Sequence, residues 1–341
     1  MDTAAPSPTP PGFDKLVAAA QQEGDLNVIA LPHEWMNYGT VIATFSQKYG
    51  IKVREMDPGA GSAAELNAIK TGKNDPTISP DVIDVGLPFA VQAKKLNLLA
   101  PYKVATWDSI PDVAKDADGY WYGDYYGLIV FEANPEFITT LPEDWPDLLR
   151  ADYKIAIGGY PAQSYLGMMT VYSASLANGG SLDDTLPGLR YFQQINRDGN
   201  LSANFTSSRD SVVSGETPLV LTWDYLALAD QRSSGNITVI VPKTGLIAGL
   251  YAQAISAYAP HPNAAKLWME FLYSDEGQLL FLDGLGHPVR FADLYDRGAI
   301  SQQALADLLP SDSYLAAIFP TAEQMSAADR SIIGSWRDYV R

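Results

Sequence analysis

The runs Leu26-Asn27-Val28-Ile29-Ala30-Leu31, Ile51-Lys52-Val53 and Val82-Ile83-Asp84-Val85 decide the fold class. Each is short, apolar and rich in β-branched residues, and each leads through a loop into a helical pattern. After the first come Pro32-His33-Glu34-Trp35-Met36-Asn37-Tyr38-Gly39 and a helix with Val41, Ile42, Phe45 and Tyr49 on one face. The second leads through Asp57-Pro58-Gly59-Ala60-Gly61-Ser62 into a helix from Ala63 to Ile69. The third ends at Gly86-Leu87-Pro88-Phe89, before a helix carrying Val91, Ala93, Lys94 and Leu98. Three consecutive strand–loop–helix units predict a parallel sheet with right-handed crossovers, and so an α/β protein.

Outward from this core, Phe13 to Gln22 reads as a first amphipathic helix. The preceding Pro-, Ser- and Thr-rich residues 1–12 read as a disordered tether that cannot build a core. A Met directly before that tether suggests an artificial start in place of a secretory signal or a lipid-modified end. Downstream the rhythm changes at Tyr120-Trp121-Tyr122-Gly123-Asp124-Tyr125-Tyr126-Gly127, and the extended Leu128–Asn134 reads as the chain leaving its first domain. A second α/β set follows, with strands at Ile155-Ala156-Ile157, Leu219–Trp223 and Ile237–Val241 and helices near 165–177 and 187–197. The extended Tyr251–Tyr258 leads back, and the remainder is mostly helical. Two lobes are therefore expected, one of residues 13–130 and 250–305, the other of 131–249 and 306–341, as suits a chain of 341 residues.

Asp and Glu number 40 against 23 Lys and Arg, a net charge of -17 that repels phosphate backbones and anionic membranes, so no nucleic-acid partner is expected. There is no Cys, which excludes a thiol nucleophile, thiolate-held zinc and a disulfide framework. His33, His261 and His287 have no metal-ligand spacing, and neither a metal nor a cofactor is expected. His33-Glu34 begins like a zincin helix, but Asn37 stands where the second His is required. No apolar run approaches the ~18 residues of a membrane-spanning helix.

The stretch Asn263-Ala264-Ala265-Lys266-Leu267-Trp268-Met269-Glu270-Phe271-Leu272-Tyr273-Ser274-Asp275-Glu276-Gly277-Gln278 reads as two capped helices. Asn263 and Ser274 are the expected caps, and Leu267, Trp268, Phe271 and Leu272 the buried stripe. It also closely resembles the C-terminal signature of solute-binding proteins of ABC importers, in particular the family-1, type II group with the spermidine/putrescine-binding proteins. Phe45…Lys48-Tyr49-Gly50-Ile51-Lys52-Val53, Asp81-Val82-Ile83-Asp84-Val85 and Gly123…Tyr126-Gly127 agree with that group in order, so the likeness spans roughly residues 20 to 300. It implies the two-lobed periplasmic-binding-protein type II fold, mixed sheets flanked by helices and joined by two crossover strands, here about 128–134 and 247–256. It further implies a monomer in the periplasm or another extracytoplasmic space, a membrane permease as partner, and a ligand gripped between the lobes by hinge closure. Open α/β sheets independently favour the carboxyl ends of their strands for ligands.

Those ends supply the candidate ligand residues. Trp35 and Tyr38 follow the first strand, one as a ligand aromatic and the other equally readable as a core staple. Gly61 and Ser62 open a helix, either as a site for a carboxylate or phosphate oxygen or simply as a capped turn. Phe89 follows the third strand, and Tyr126 lies just before the crossing. In the second lobe the candidates are Gln163, Ser164, Ser207, Arg209, Trp223 and Asp224, with Tyr251 on the returning segment. The resemblance implies a Trp at the place of Trp223 that stacks on ligand. Asp224 is suited to an ammonium and Arg209 to a carboxylate, or Arg209 pairs at the surface with Asp210.

An acid and a base together suit a small amino-carboxylate of the 4-aminobutyrate type. Polyamines such as putrescine and spermidine rank second, because Leu250-Tyr251-Ala252-Gln253 and Gln163-Ser164 stand where their binders carry acids. Ferric ion or phosphonate ranks behind. Ferric-binding relatives carry tandem Tyr after a later strand, where this chain has Thr222-Trp223-Asp224-Tyr225. No Gly-x-Ser-x-Gly elbow, phosphate-binding loop or dinucleotide fingerprint is present, and Asp183-Asp184 lie in a turn-like context, so no catalytic residue and no enzyme is expected.

Overall fold

A computed structural model describes residues 9–205 and 209–340. The chain forms two compact units, Met1–Tyr126 with Leu250–Asp307 (unit 1) and Gly127–Gly249 with Leu308–Arg341 (unit 2). In chain order the strands are β1 (Asp25–Ile29), β2 (Lys52–Met56), β3 (Val82–Gly86), β4 (Leu99–Ala100), β5 (Tyr122–Gly127), β6 (Ile129–Ala133), β7 (Ile155–Ile157), β8 (Leu219–Trp223), β9 (Thr238–Ile240), β10 (Gly249–Ser256) and β11 (His287–Pro288). The architecture is mixed α/β, with helices following β1, β2, β3, β7 and β8.

In unit 1 the order β11-β5-β10-β3 forms one sheet, with β4 also on β10, while β1 and β2 pair in parallel as a separate ribbon. This corrects the expectation of one parallel sheet from the first three strands. The returning β10 lies antiparallel to β3, Gln253 opposite Asp84, and takes the edge a parallel neighbour would need. Asp81 links the two sheets instead. Its N–H donates to Asn27 O at 2.8 Å, and its Oδ2 accepts the Asn27 N–H at 2.6 Å.

Unit 2 has the order β7-β8-β6-β9, with β7 and β8 parallel and β6 antiparallel to both β8 and β9. All five residues of β6 and of β8 are buried, as expected of central strands covered on both faces. Trp145 fills one side, its ring edge-on to Phe131 at 5.2 Å and to Tyr191 at 5.7 Å. Such aromatic pairs contribute about 0.5–1.5 kcal/mol each beyond area burial.

The stripe of the helix Pro262–Leu272 is buried as its spacing predicts, with Trp268 and Phe271 packed on Phe45 at 5.1 and 5.6 Å. Its cap differs from expectation. His261 holds the N-cap position, and Asn263 sits inside the first turn, one residue after Pro262. The exposed backbone donors are satisfied by a carboxylate distant in sequence. Glu23 accepts from Asn263 N at 3.0 Å, Ala264 N at 2.8 Å and Asn263 Nδ2 at 2.7 Å. A negative group at a helix N-terminus also meets the positive end of the dipole. Glu23→Ala is therefore expected to lower unfolding free energy by about 1–2 kcal/mol, read by chemical denaturation; an unchanged midpoint would contradict the anchor. Ser274 caps the next helix as its sequence suggests, accepting from Gly277 N at 3.2 Å.

Candidate functional site

In unit 1 the loop after β1 is bent by Met36 and Asn37, both with left-handed backbone (φ 49 and 61), and Asn37 Nδ2 anchors it to Leu280 O at 3.0 Å. The bend sends the loop's two aromatic residues to different places. Trp35 stays half-buried, donates from Nε1 to the Tyr125 hydroxyl at 2.8 Å, and lies edge-on to Tyr251 at 5.7 Å. Tyr251 stacks on Tyr125 at 5.3 Å. Tyr38 is wholly buried. Its hydroxyl sits 2.8 Å from Asp84 Oδ2 and 3.2 Å from Asp124 Oδ2, so Tyr38 is the core staple and not an accessible ligand aromatic.

The other unit 1 candidates are dispersed. Gly61 is exposed ahead of the helix Ser62–Gly72, and Ser62 Oγ accepts the Gly86 N–H at 3.1 Å, tying that helix to the end of β3. Phe89 is half-buried in the helix Leu87–Lys95. Tyr126 is buried against the ring of His287 at 4.5 Å, and burial holds that imidazole neutral by lowering its pKa to about 3.

Unit 2 gathers its candidates at the end of β8. Trp223 is wholly buried, parallel to Tyr225 at 6.2 Å and tilted to Tyr165 at 6.0 Å. Asp224, also wholly buried, opens the helix Asp224–Ser234. Its backbone N–H donates to Leu128 O at 2.9 Å while its Oδ1 accepts the Leu128 N–H at 3.0 Å. Oδ2 accepts the Tyr314 hydroxyl at 2.6 Å. Burial raises the carboxyl to about pKa 6, against the lowering effect of Tyr314 and the backbone donors. Gly127 leaves room for this group, since a Cβ there would lie 2.8 Å from Asp224 Oδ1 and 2.7 Å from Tyr225 Cε1.

Ser164 caps the helix Tyr165–Ala177 by accepting from Gly167 N, and Gln163 is exposed beside it. Arg209 is exposed at the start of the short helix Arg209–Val213; burial raises the Asp230 carboxyl, and the charge of Arg209 acts against that rise. The structure thus joins Trp223 and Asp224, while Arg209 lies exposed on the same unit, where its charge acts on Asp230. Ser207 lies outside the described residues.

Sequence reasoning missed several buried polar groups. Asp84, Asp124 and Glu65 are almost wholly enclosed in unit 1, Glu132 in unit 2, and Tyr314 completes the Asp224 site. One signal was available for Asp84, an acid inside an otherwise apolar strand. Burial raises Glu132 to about pKa 8, with nearby Asp230 adding to the shift. Among the described residues no group of three His, Cys, Asp or Glu is arranged to hold a metal ion, and no helix is long and apolar enough to cross a membrane.

The model of a family described as bacterial extracellular solute-binding protein matches residues 78–315. No curated protein matches the chain significantly in sequence. Solved structures do align over nearly its whole length. Iron-bound HitA from Pseudomonas aeruginosa superposes with a TM-score of 0.73 at 19% identity, covering 92% of this chain and 99% of that one. AfuA from Actinobacillus pleuropneumoniae, with fructose-6-phosphate bound, gives 0.75 at 22% identity, with 93% and 98% coverage. The Atu4243 GABA receptor gives 0.71 at 17% identity, again with 93% and 98% coverage. At these identities the likeness establishes the fold, the one known for periplasmic binding proteins.

Proposed function

The chain belongs to the bacterial extracellular solute-binding proteins, which bind solutes for ABC transporters, and from that membership we propose that it acts in transport without catalysis and that its solute is a small amino-carboxylate of the 4-aminobutyrate type. The observation that carries this reading is Asp224. It is a carboxyl wholly enclosed at a strand end, beside Trp223 and Tyr225, and its Oδ2 accepts the neutral phenol of Tyr314, which a solute would have to displace to reach it. An ammonium is a stronger partner for a desolvated carboxylate than a phenol is, and the neighbouring rings favour a cation further. Arg209, exposed on the same unit, is the group offered to the carboxylate end. The Atu4243 receptor, named for GABA, has the same fold and is consistent with this class.

The test is a thermal-shift and calorimetric panel of 4-aminobutyrate, putrescine, fructose-6-phosphate and ferric citrate, with the mass of the recovered solute measured. The expected result is a raised Tm with 4-aminobutyrate and intact release. Ligand at a hundredfold excess over Kd adds about 2.7 kcal/mol. A shift with putrescine alone supports the polyamine reading, and a shift with the sugar phosphate or iron alone removes the amine assignment. The reading also fixes a pH dependence. Asp224 must be ionised to hold an ammonium, so affinity is expected to fall as pH drops below about 6. Affinity constant from pH 5 to 8 would contradict the role of Asp224.

A further inference from the structure

The core of unit 1 holds a second buried acidic system, separate from the Asp224 site proposed for the solute. Asp84 on β3 and Gln253 on β10 are paired in register, and Asp124 stands on β5, the other neighbour of β10. Gln253 and Asp124 are wholly buried and Asp84 is 5% exposed. Tyr38 enters from the helix Tyr38–Tyr49, its hydroxyl 2.8 Å from Asp84 Oδ2, 3.2 Å from Asp124 Oδ2, and 2.9 Å from Gln253 Nε2, which donates to it. Gln253 Nε2 also lies 3.2 Å from Asp124 Oδ2, and the Tyr125 hydroxyl donates to Asp84 Oδ2 at 2.9 Å.

Counting hydrogens decides the charge state. Tyr38 has one hydroxyl hydrogen and two carboxyl oxygens within reach. If it donates to Asp84, the contact with Asp124 Oδ2 sets oxygen against oxygen unless Asp124 itself carries a hydrogen and donates to the phenol. Asp84 Oδ1 and Gln253 Oε1 meet no hydrogen-bond partner among the described residues, which makes a fully ionised cluster costlier still.

The surrounding elements bring no positive charge. The helix Ser62–Gly72 contributes a third acid, Glu65, whose Oε2 accepts the Asp84 N–H at 3.0 Å. Tyr273, at the end of the helix Pro262–Leu272, faces the acids with a phenol hydrogen-bonded to Tyr122 O at 2.7 Å. The helix Asp275–Asp283 presents Gln278 and Phe281, and β11 is followed by the Val289 N–H, which donates to Asp124 O. Among the described residues no Lys, Arg or His acts on Asp84, Asp124 or Glu65.

We propose that Asp84 and Asp124 share one proton through the Tyr38 hydroxyl at neutral pH, so that unit 1 contains a proton-binding site whose occupancy controls its stability. Burial acts in the same direction, raising Asp84 to about pKa 7 and Asp124 well above the carboxylate range. Native pKa values above the unfolded ones mean that the folded chain holds a proton the unfolded chain has released. The stabilisation is complete below the unfolded carboxylate pKa and is lost as pH rises through 7 and above. Mildly acidic surroundings therefore tighten unit 1 and alkaline ones loosen it. The chain Trp35–Tyr125–Asp84 carries hydrogen bonds from the half-buried indole into this site.

The test is denaturant unfolding between pH 5 and 8 of the wild-type chain and of Asp84→Asn and Asp124→Asn, which keep a neutral side chain of the same shape. Each proton taken up on folding changes the unfolding constant about tenfold per pH unit. Asp124→Asn is expected to remove about one proton from the wild-type slope and to exceed wild type in stability at pH 8. Equal slopes in wild type and both variants would overturn the proposal. Should neither variant fold, infrared spectroscopy of the Glu65→Gln/Glu132→Gln protein at pH 8 decides. A carboxylic-acid carbonyl band supports the shared proton, and its absence overturns it.

Discussion

Gly249→Ala is expected to destabilise the protein by about 3 kcal/mol, the upper range for overpacking a dense core, and to lower Tm by roughly 6–12 °C at ~2–4 °C per kcal/mol. The reason lies where β10 begins. A Cβ on residue 249 would stand 2.0 Å from Trp223 Cη2 and 2.5 Å from Cζ3, inside the indole. Trp223 has nowhere to move, being wholly buried with Tyr225 parallel to one face and Tyr165 beside it. Displacing it also disturbs Asp224, the next residue, so solute affinity should fall together with stability. Gly334→Ala is the control within the same unit. Gly334 is exposed inside the helix Ala322–Tyr339 with open space around it, and alanine there should add about 0.5–1 kcal/mol. Calorimetric unfolding of the two variants checks both signs, and a tolerated alanine at 249 would show that the strand and the indole are free to separate.

Asp224→Ala carries the second large effect. It strips the acceptor from the Leu128 N–H and the Tyr314 hydroxyl at once. Each buried donor that loses its acceptor costs about 1–3 kcal/mol, so a total of about 2–6 kcal/mol is expected. Asp224→Asn separates structure from recognition. The amide keeps one oxygen acceptor and the side-chain volume but cannot take a charge, so it should retain most of the stability while losing most of the affinity for an ammonium. With Asp224 raised to about pKa 6 in the folded chain, the ionised form costs stability as pH rises from about 4 through 6. The Asp224→Asn variant should therefore gain on wild type over that interval. Equal affinity of the Asp224→Asn and wild-type proteins for 4-aminobutyrate would place the ammonium elsewhere.

Much of this architecture is legible along the chain, for reasons visible in particular elements. The run at 26–31 became β1 and the stretch 219–223 became β8, because largely apolar, β-branched segments between polar turns have few other ways to be buried. The stripe Leu267, Trp268, Phe271 and Leu272 likewise repeats at the helical period and is buried as read. Trp223 and Asp224 were legible as a strand end facing a helix start. Tyr38 was only half legible, because periodicity gives a residue's face and not the depth of its neighbours. The surroundings of Arg209 were not legible, since which charges lie near an exposed side chain depends on the helices alongside, here the one bearing Asp230.

The succession of strands along the chain, the polarity of most helix faces and the solute-binding family were fixed by local pattern, because hydrophobic periodicity and turn chemistry act over a few residues. Which side chains share a proton, a phenol or a cap was decided only when distant segments met. Glu23 reached Asn263, Tyr314 reached Asp224, and Tyr38 came between Asp84 and Asp124, over separations of up to 240 residues. Such contacts depend on the removal of water from both partners together. That is a property of the enclosed space, and no single stretch of sequence contains it.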